Sequence, residues 1–439
     1  MRIKKLSQNK NICANCREAF KKFLMEGLSN MKKRILALSL AAAMLVGAMA
    51  SCSATETEAP SSAAPAEKKD VKLVMWGAQD DQGYLKEVTD AFCAQYDKAN
   101  VTVELKVQGE DKAKDEALKD LDSAADVFGV PLDQIGGLAD SKAIFEIPQA
   151  GVDQLGATVD MSLGKYNGKY YGVPYIAECS SILFYNKSLL KEEDVATLEG
   201  ILAADTGSAS KLAMRFDSAW EGVTWLATSG AAAFTDGDRT ICDWNNADCV
   251  ALIKFITTMK AAGAVNMPGE DGPTNMAAAF KDGTIASAIL GSWNAKAFQE
   301  ALGDNYGVAK MPTVNGKQMV TFASGKVYVI NAKCENPDAA IDLIAWVTNA
   351  DNQLKRFEAR NALPTASALA TNEKVLANPT AAAELTQFGY TIPNNPIYGT
   401  VGYWDTAGAL FTKAFDGELA DDAAIQAELD SLVKGYKGE

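Results

Sequence analysis

From residue 71 onward the chain alternates short apolar runs with amphipathic helical segments, and this alternation restricts it to an α/β fold. Val71–Trp76 is a short apolar run suited to a buried strand. Leu85, Val88, Phe92 and Tyr96 follow at helical spacing. Val101, Val103, Leu105 and Val107 alternate with polar residues, predicting a second strand. A charged helix through Lys112–Asp122 leads to a third strand at Ala125–Val130. Strands separated by helices pair in parallel through βαβ crossovers. Further strands are predicted at Tyr170–Pro174, Ile182–Tyr185, Thr284–Leu290 and Lys326–Asn331. Helices are predicted at Asp248–Ala262, ended by Gly263, at Asn336–Thr348, opened by Asn336-Pro337, and at Asp351–Arg360. The chain has 439 residues, 48% of them hydrophobic, enough for two or three lobes rather than one. There is no short internal repeat and no nucleotide-binding glycine motif. Gly136-Gly137 marks a turn or a close approach.

The first 69 residues differ from the rest. Met31-Lys32-Lys33-Arg34 is a basic start, and Ile35–Ala50 is apolar and rich in Leu and Ala. Sixteen apolar residues are short for a membrane span of about twenty, so residues 31–51 read as a signal peptide. Small residues directly before Cys52 resemble a lipobox. The resemblance implies cleavage before Cys52 and a diacylglycerol on its sulfur, although Met49 stands where Leu is usual. The alternative is an ordinary signal peptide cleaved near the same point. Residues 1–30 read as an upstream extension ahead of a start at Met31. Residues 52–69 are rich in Ser, Thr, Ala, Pro and Glu, with nothing to bury, and read as a tether.

Charge and residue usage exclude several functions. Residues 1–52 hold ten Lys/Arg and two Asp/Glu, so the remainder carries 32 bases against 54 acids, a net of −22. Such a surface repels nucleic acid. Histidine is absent, which excludes Ser–His–Asp and Cys–His catalysis and His-ligated metal sites. Of the eight cysteines, Cys13 and Cys16 form an unpaired CxxC, a weak zinc signal. Cys242 and Cys249 are close enough in sequence to close a small disulfide loop, or to remain free. Cys93, Cys179 and Cys334 suit buried small hydrophobes.

Five stretches carry a family resemblance. They are "KLVMWG" at Lys72–Gly77, "ADVFGVPLDQIGGLADSKAIFEI" at Ala125–Ile147, "YNGKYYGVPYIAECSSILFYNKSLL" at Tyr166–Leu190, "AAFKDGTIASAILGSW" ending at Trp293, and "IPNNPIYGTVGYWDTAGALFTKAFDGE" ending at Glu418. In this order they resemble the extracellular solute-binding proteins of the maltose/maltodextrin type, over residues 71–435. The resemblance implies an α/β, two-lobed periplasmic-binding-protein-like (type II) fold with a hinge and an interlobe ligand cleft. One lobe would comprise residues 70–177 plus 327–372, the other residues 178–326 plus 373–439. The chain would cross near Ala177, Val327 and Thr371.

It also implies a site. A sugar offers hydroxyls and flat C–H faces, so its site needs carboxylates or amides beside aromatic rings. In the loop after the first strand, one of Asp80 and Asp81 would face the cleft, and Gln82 stands where the family often has lysine. Asp133 and Gln134 match an Asp-Arg pair that binds sugar hydroxyls in some members. Val130 stands where some members have a stacking tryptophan. Glu178 falls on the family's crossing-segment glutamate. Trp220 in "DSAWEGVTW", Trp293, and Trp404 with Tyr403 before it match aromatic positions, while Trp76 is assigned to the core.

The expected function is therefore capture of an oligosaccharide, foremost maltose or maltodextrin, by a lipid-anchored protein outside a bacterial cell. It would act as a monomer and deliver the sugar to the permease subunits of an ABC importer, with no cofactor, no metal and no nucleic acid. One alternative is a different sugar or polar solute. Another is a secreted glycoside hydrolase using Asp133 and Glu178, which would need its carboxylates about 5–10 Å apart.

Overall fold

The computed structural model describes residues 68–236, 239–393 and 403–439. The leader, Cys52, nearly all of the tether and residues 394–402 of the late aromatic stretch lie outside the described residues.

The first five elements follow the sequence pattern closely. They are β1 (Asp70–Gly77), α1 (Gln82–Gln95), β2 (Asn100–Val107), α2 (Glu110–Lys119) and β3 (Val127–Pro131). β1 lies between β2 and β3 and is parallel to both, with Val71 opposite Val101. Helix α1 buries Leu85, Val88 and Phe92 at the predicted spacing. After α3 (Ile135–Asp140), the chain forms β4 (Gly172–Cys179) and β5 (Ile182–Asn186).

β5 begins a second sheet, completed by β6 (Leu212–Met214), β7 (Ala264–Asn266), β8 (Ser287–Leu290) and β9 (Tyr306–Ala309) in the order β7-β6-β8-β5-β9. Helices α4 (Ala219–Ala227), α5 (Ala247–Met259), α6 (Gly272–Lys281) and α7 (Ala295–Leu302) connect its strands. Then β10 (Thr321–Ile330) returns to the first sheet, whose order is β11-β10-β3-β1-β2, β11 being Thr391–Pro393. The remaining helices used below are α8 (Pro337–Val347), α9 (Ala350–Arg360), α10 (Pro379–Gln387), α11 (Tyr403–Asp416) and α12 (Asp422–Lys437).

Parallel pairing, expected where strands alternate with helices, does not extend to every strand. β10 runs antiparallel to β3 and β4, and β5 antiparallel to β8 and β9. These strands do not enter their sheets through a single crossover helix, so the handedness and parallelism of a βαβ unit do not constrain them.

Each sheet is covered on both faces. Along β5 successive side chains point to opposite sides. Ile182 and Phe184 join a cluster with Phe280 and Phe298, while Leu183 and Tyr185 join a larger one with Leu212, Ile253, Phe411 and Leu429. In the first sheet, α1 and α8 cover one face through Leu85, Val88, Ile341 and Ile344, and α2 and α3 cover the other through Ala113, Ala117 and Leu138. A fifth cluster of Ala177, Phe357, Leu363, Val375, Ala381 and Leu385 lies where the chain passes between the sheets. Phe322 of β10 sits in the second sheet's core, and Val327 to Ile330 of the same strand sit in the first sheet's cores.

Cys242 and Cys249 are both buried in the second sheet's core and both free. The disulfide weighed from their spacing is not formed. They behave as small core hydrophobes, and burial pushes their thiols up to about 12 and about 11.

Candidate functional site

A cleft of about 770 Å³ opens between the two sheets, within the usual size range of small-molecule sites. Ala78 and Asp80 reach it from the end of β1, and Pro131, Asp133 and Gln134 from the end of β3. Both are carboxyl ends of parallel strands, where open α/β sheets place ligands. Trp293 enters from just beyond β8. Ser218, Trp220 and Glu221 enter from the start of α4, and Trp404 from the start of α11. Glu178 at the end of β4 and Lys326 on β10 form the floor.

The aromatic wall is built in layers. Trp220 and Trp404 stack with centroids 6.1 Å apart and planes 27° apart, and Phe322 backs Trp220 at 5.5 Å. Trp293 stands apart from them and is 36% exposed. Its ring lies directly over Gly291, where a Cβ would fall 2.0 Å from the ring. Only glycine leaves space for that indole.

Beneath the rings runs a chain of buried charge. Lys326 pairs with Glu110 at 3.7 Å. Burial works against the Lys326 charge, but Glu110 and Glu178 more than offset it and raise its pKa. Burial would likewise raise the Glu110 carboxyl, but Lys326 and Arg356 hold it down at about 2. Glu110 also accepts a hydrogen bond from the Tyr175 hydroxyl at 3.0 Å. Glu178 is 5% exposed, and burial, only partly opposed by Lys326, raises its pKa. Glu221 accepts from the Ser218 hydroxyl, and burial raises its pKa too.

Of the residues singled out from the sequence, Asp80, Asp133, Gln134, Glu178, Trp220, Trp293 and Trp404 line this cleft. Three do not. Asp81 is 2% exposed and accepts from Arg356 and, at 2.5 Å, from Arg360. The 3-10 turn Gln79–Asp81 directs Asp80 outward and Asp81 inward, so Asp80 is the acid that faces the cleft. Gln82 opens α1 and donates to the Gly77 carbonyl at 2.8 Å, closing the end of β1 rather than the site. Tyr403 is fully buried and donates to the Ala219 carbonyl at 2.7 Å. Consecutive helical residues point about 100° apart, so Trp404 takes the cleft and Tyr403 the core. Val130 is buried, and Pro131 occupies that wall. Trp76 packs against Phe128 in a core cluster.

Sequence reasoning missed Glu110, Lys326, Arg215 and Arg360, all of which line the cleft. Glu110 and Lys326 pair across more than 200 residues and Arg360 with Asp81 across more than 270, while Arg215 pairs with nearby Asp217, a spacing that does not mark a site. Among the described residues, no cluster of acids and cysteines is arranged to hold a metal. No described helix is long and apolar enough to cross a membrane.

The family model for bacterial extracellular solute-binding proteins matches residues 87–383. The chain belongs to that family. Among curated relatives, this solute-binding protein is 28% identical to a galactooligosaccharide-binding protein of Bacillus subtilis over 430 residues, covering 93% of this chain and 98% of the relative. It is 25% identical to a maltooligosaccharide ABC transporter solute-binding lipoprotein of Streptococcus pneumoniae, covering 87% and 91%. The solved fold of a Lactobacillus casei maltodextrin-binding protein without ligand superposes with a TM-score of 0.72 at 23% identity, over 83% of this chain and 98% of that one. That likeness establishes the two-lobed fold. The names of these relatives describe binding proteins, the second of them that of an ABC transporter.

Proposed function

We propose that this protein captures an oligosaccharide outside the cell and delivers it to the permease subunits of an ABC importer, held at the membrane by a lipid on Cys52. The observation that carries the reading is the cleft itself. Exposed indole faces on one wall oppose carboxylates and amides on the other, which is what a sugar's C–H faces and hydroxyls require. Trp293 and the stacked pair Trp220 and Trp404 serve as platforms. Asp80, Asp133, Gln134 and Glu178 accept or exchange hydroxyl hydrogen bonds. A maltodextrin is the preferred ligand, supported by the maltooligosaccharide relative and the family resemblance, with a galactooligosaccharide next. Residues 70–177 plus 327–372 and residues 178–326 plus 373–439 move as two lobes, and closure around the sugar marks the loaded form for the importer.

The protein binds without chemistry, although Asp133 and Glu178 share the cleft. Calorimetry against maltooligosaccharides and β-galactooligosaccharides of increasing length tests this reading. Saturable binding of a maltooligosaccharide with no shorter products after incubation is the expected result. Binding confined to another sugar rejects the maltodextrin assignment, and shortened products reject the absence of catalysis. No binding to any oligosaccharide rejects the function. Mass spectrometry of the mature N-terminus, showing a diacylglycerol-modified Cys52, checks the anchor.

A further inference from the structure

Glu384 is a buried acid that the sugar site does not touch. It sits on α10, which packs against β4, β5 and β9 at the junction between the sheets. Its Oε1 accepts from the Ser292 hydroxyl and, at 3.4 Å, from the Cys179 backbone N–H. Its Oε2 is buried with no hydrogen-bond partner. An ionised carboxylate leaving one oxygen bare in a dry site is costly. A carboxylic acid with its carbonyl oxygen at Oε1 and its proton on Oε2 leaves an unpaired hydroxyl there instead of an unpaired charge, and is the less costly form. Both partners matter for the cleft. Ser292 immediately precedes Trp293, and Cys179 immediately follows Glu178 on the strand that leads from one sheet to the other.

We infer that Glu384 is a positioning residue for the cleft: as a neutral acid it fastens the Trp293 loop to the crossing strand, and its ionisation displaces both. The affinity part of this inference rests on the oligosaccharide reading above; the positioning part does not. Glu178 and Cys179 on β4 and Tyr306 on β9 are the titratable groups that face it. Burial first, and the Glu178 charge with it, push the Glu384 carboxyl up to about 8, against the opposing hydrogen bonds from Ser292 and Cys179. Above that pH a second negative charge develops beside Glu178 at the crossing. The charged carboxylate shifts to relieve its unpaired Oε2 and carries Ser292 with it, because the charge strengthens that hydrogen bond, so Trp293 moves. The neutral form favours the assembled site, so ligand affinity falls as pH rises through the Glu384 transition, by at most about tenfold per pH unit for one coupled proton.

Tryptophan emission of the ligand-free full chain, titrated from about pH 6 to about pH 9.5, tests the positioning part without any ligand. Expected is one transition near pH 8 in the wild type, absent from Glu384→Gln and from Trp293→Phe. Ser292→Ala keeps the acid but cuts the tie, and should lose the same transition, so the inference does not depend on one variant folding. A wild type with no transition, or a transition that survives in Glu384→Gln, overturns the inference. The same titration with a bound oligosaccharide should show affinity falling above pH 8 in the wild type and flat in Glu384→Gln. Equal pH slopes in the two overturn the coupling to binding. Failure to bind any oligosaccharide tells only against the function proposed above, because the ligand-free titration stands by itself.

Discussion

Trp293 owes its place in the cleft to the absence of a side chain at Gly291. It is the most exposed of the three cleft indoles, and no aromatic ring among the described residues stacks on it. Trp293→Ala should weaken oligosaccharide binding by about 1–3 kcal/mol, by analogy with aromatic stacking on bases, or roughly 5- to 150-fold in Kd. The melting temperature should change little, because the ring is not enclosed by the core. Calorimetry and a thermal melt on one preparation check both, and unchanged affinity would remove Trp293 from the site. Glu110 makes a prediction of a different kind. Its folded pKa of about 2 lies below the ordinary value of 4.5. The resulting stability is present above the ordinary pKa and lost as pH falls through the folded one. Urea melts should therefore show stability declining between about pH 4.5 and about pH 2, with a shallower decline in Glu110→Gln. At pH 7 that variant should already be less stable, because Lys326 loses a buried counter-charge. Identical slopes in the two proteins would show that other carboxylates govern the acid limb.

Elements with a strong period were legible in the sequence, and elements defined by distant partners were not. β1, α1 and β2 announce themselves through the spacing of Leu85, Val88 and Phe92 and the alternation from Val101 to Val107. Tyr403 and Trp404 were read as a pair because adjacency in sequence does not say which face of α11 meets the cleft. Asp81 was ambiguous for the same reason: its partners Arg356 and Arg360 lie more than 270 residues away on α9. β10 shows the limit most clearly. Its second half reads as a strand, but nothing local reveals that its first half belongs to the other sheet's core. Gly325 lies at that changeover, opposite Ala177 of β4, and the pairing shifts register between Lys326 and Val327. A Cβ at Gly325 would sit 2.4 Å from the Ile176 carbonyl oxygen. Gly325→Ala must part β10 from β4, costing about 1–3 kcal/mol as an overpacked site. Ligand affinity should fall as well, although residue 325 does not line the cleft, because Lys326 and Glu178 move with the two strands. Differential scanning calorimetry and ligand titration check the pair of effects. An unchanged melting point would mean that the strands separate freely here.

At the scale of the molecule, the two sheets meet across the cleft at a contact outside the proposed sugar platforms. Lys112 on α2 belongs to the first sheet's cover, and Glu270, just ahead of α6, belongs to the second's. Their side chains pair at 2.9 Å while remaining 56% and 84% exposed. The neighbours of Lys112, Glu110 and Asp111, line the cleft on one side, and Arg215, packed against Gly272, lines it on the other. The pair therefore bridges the two sides beside the cleft. An exposed pair contributes little to folding, but this one spans the two lobes, which under the proposed function separate for a sugar to leave. Its effect belongs in the dissociation rate, where most affinity differences within one interface arise. Lys112→Ala and Glu270→Ala should each speed oligosaccharide release a few-fold at low salt, and the double variant should release no faster than either alone. Near 1 M salt the Debye length shrinks to about 3 Å, and all four proteins should converge. Stopped-flow tryptophan fluorescence measures the rates. Additive effects in the double variant, or differences that survive high salt, would mean that the two residues act separately and that the two sides are held by the lobes' apolar contacts instead.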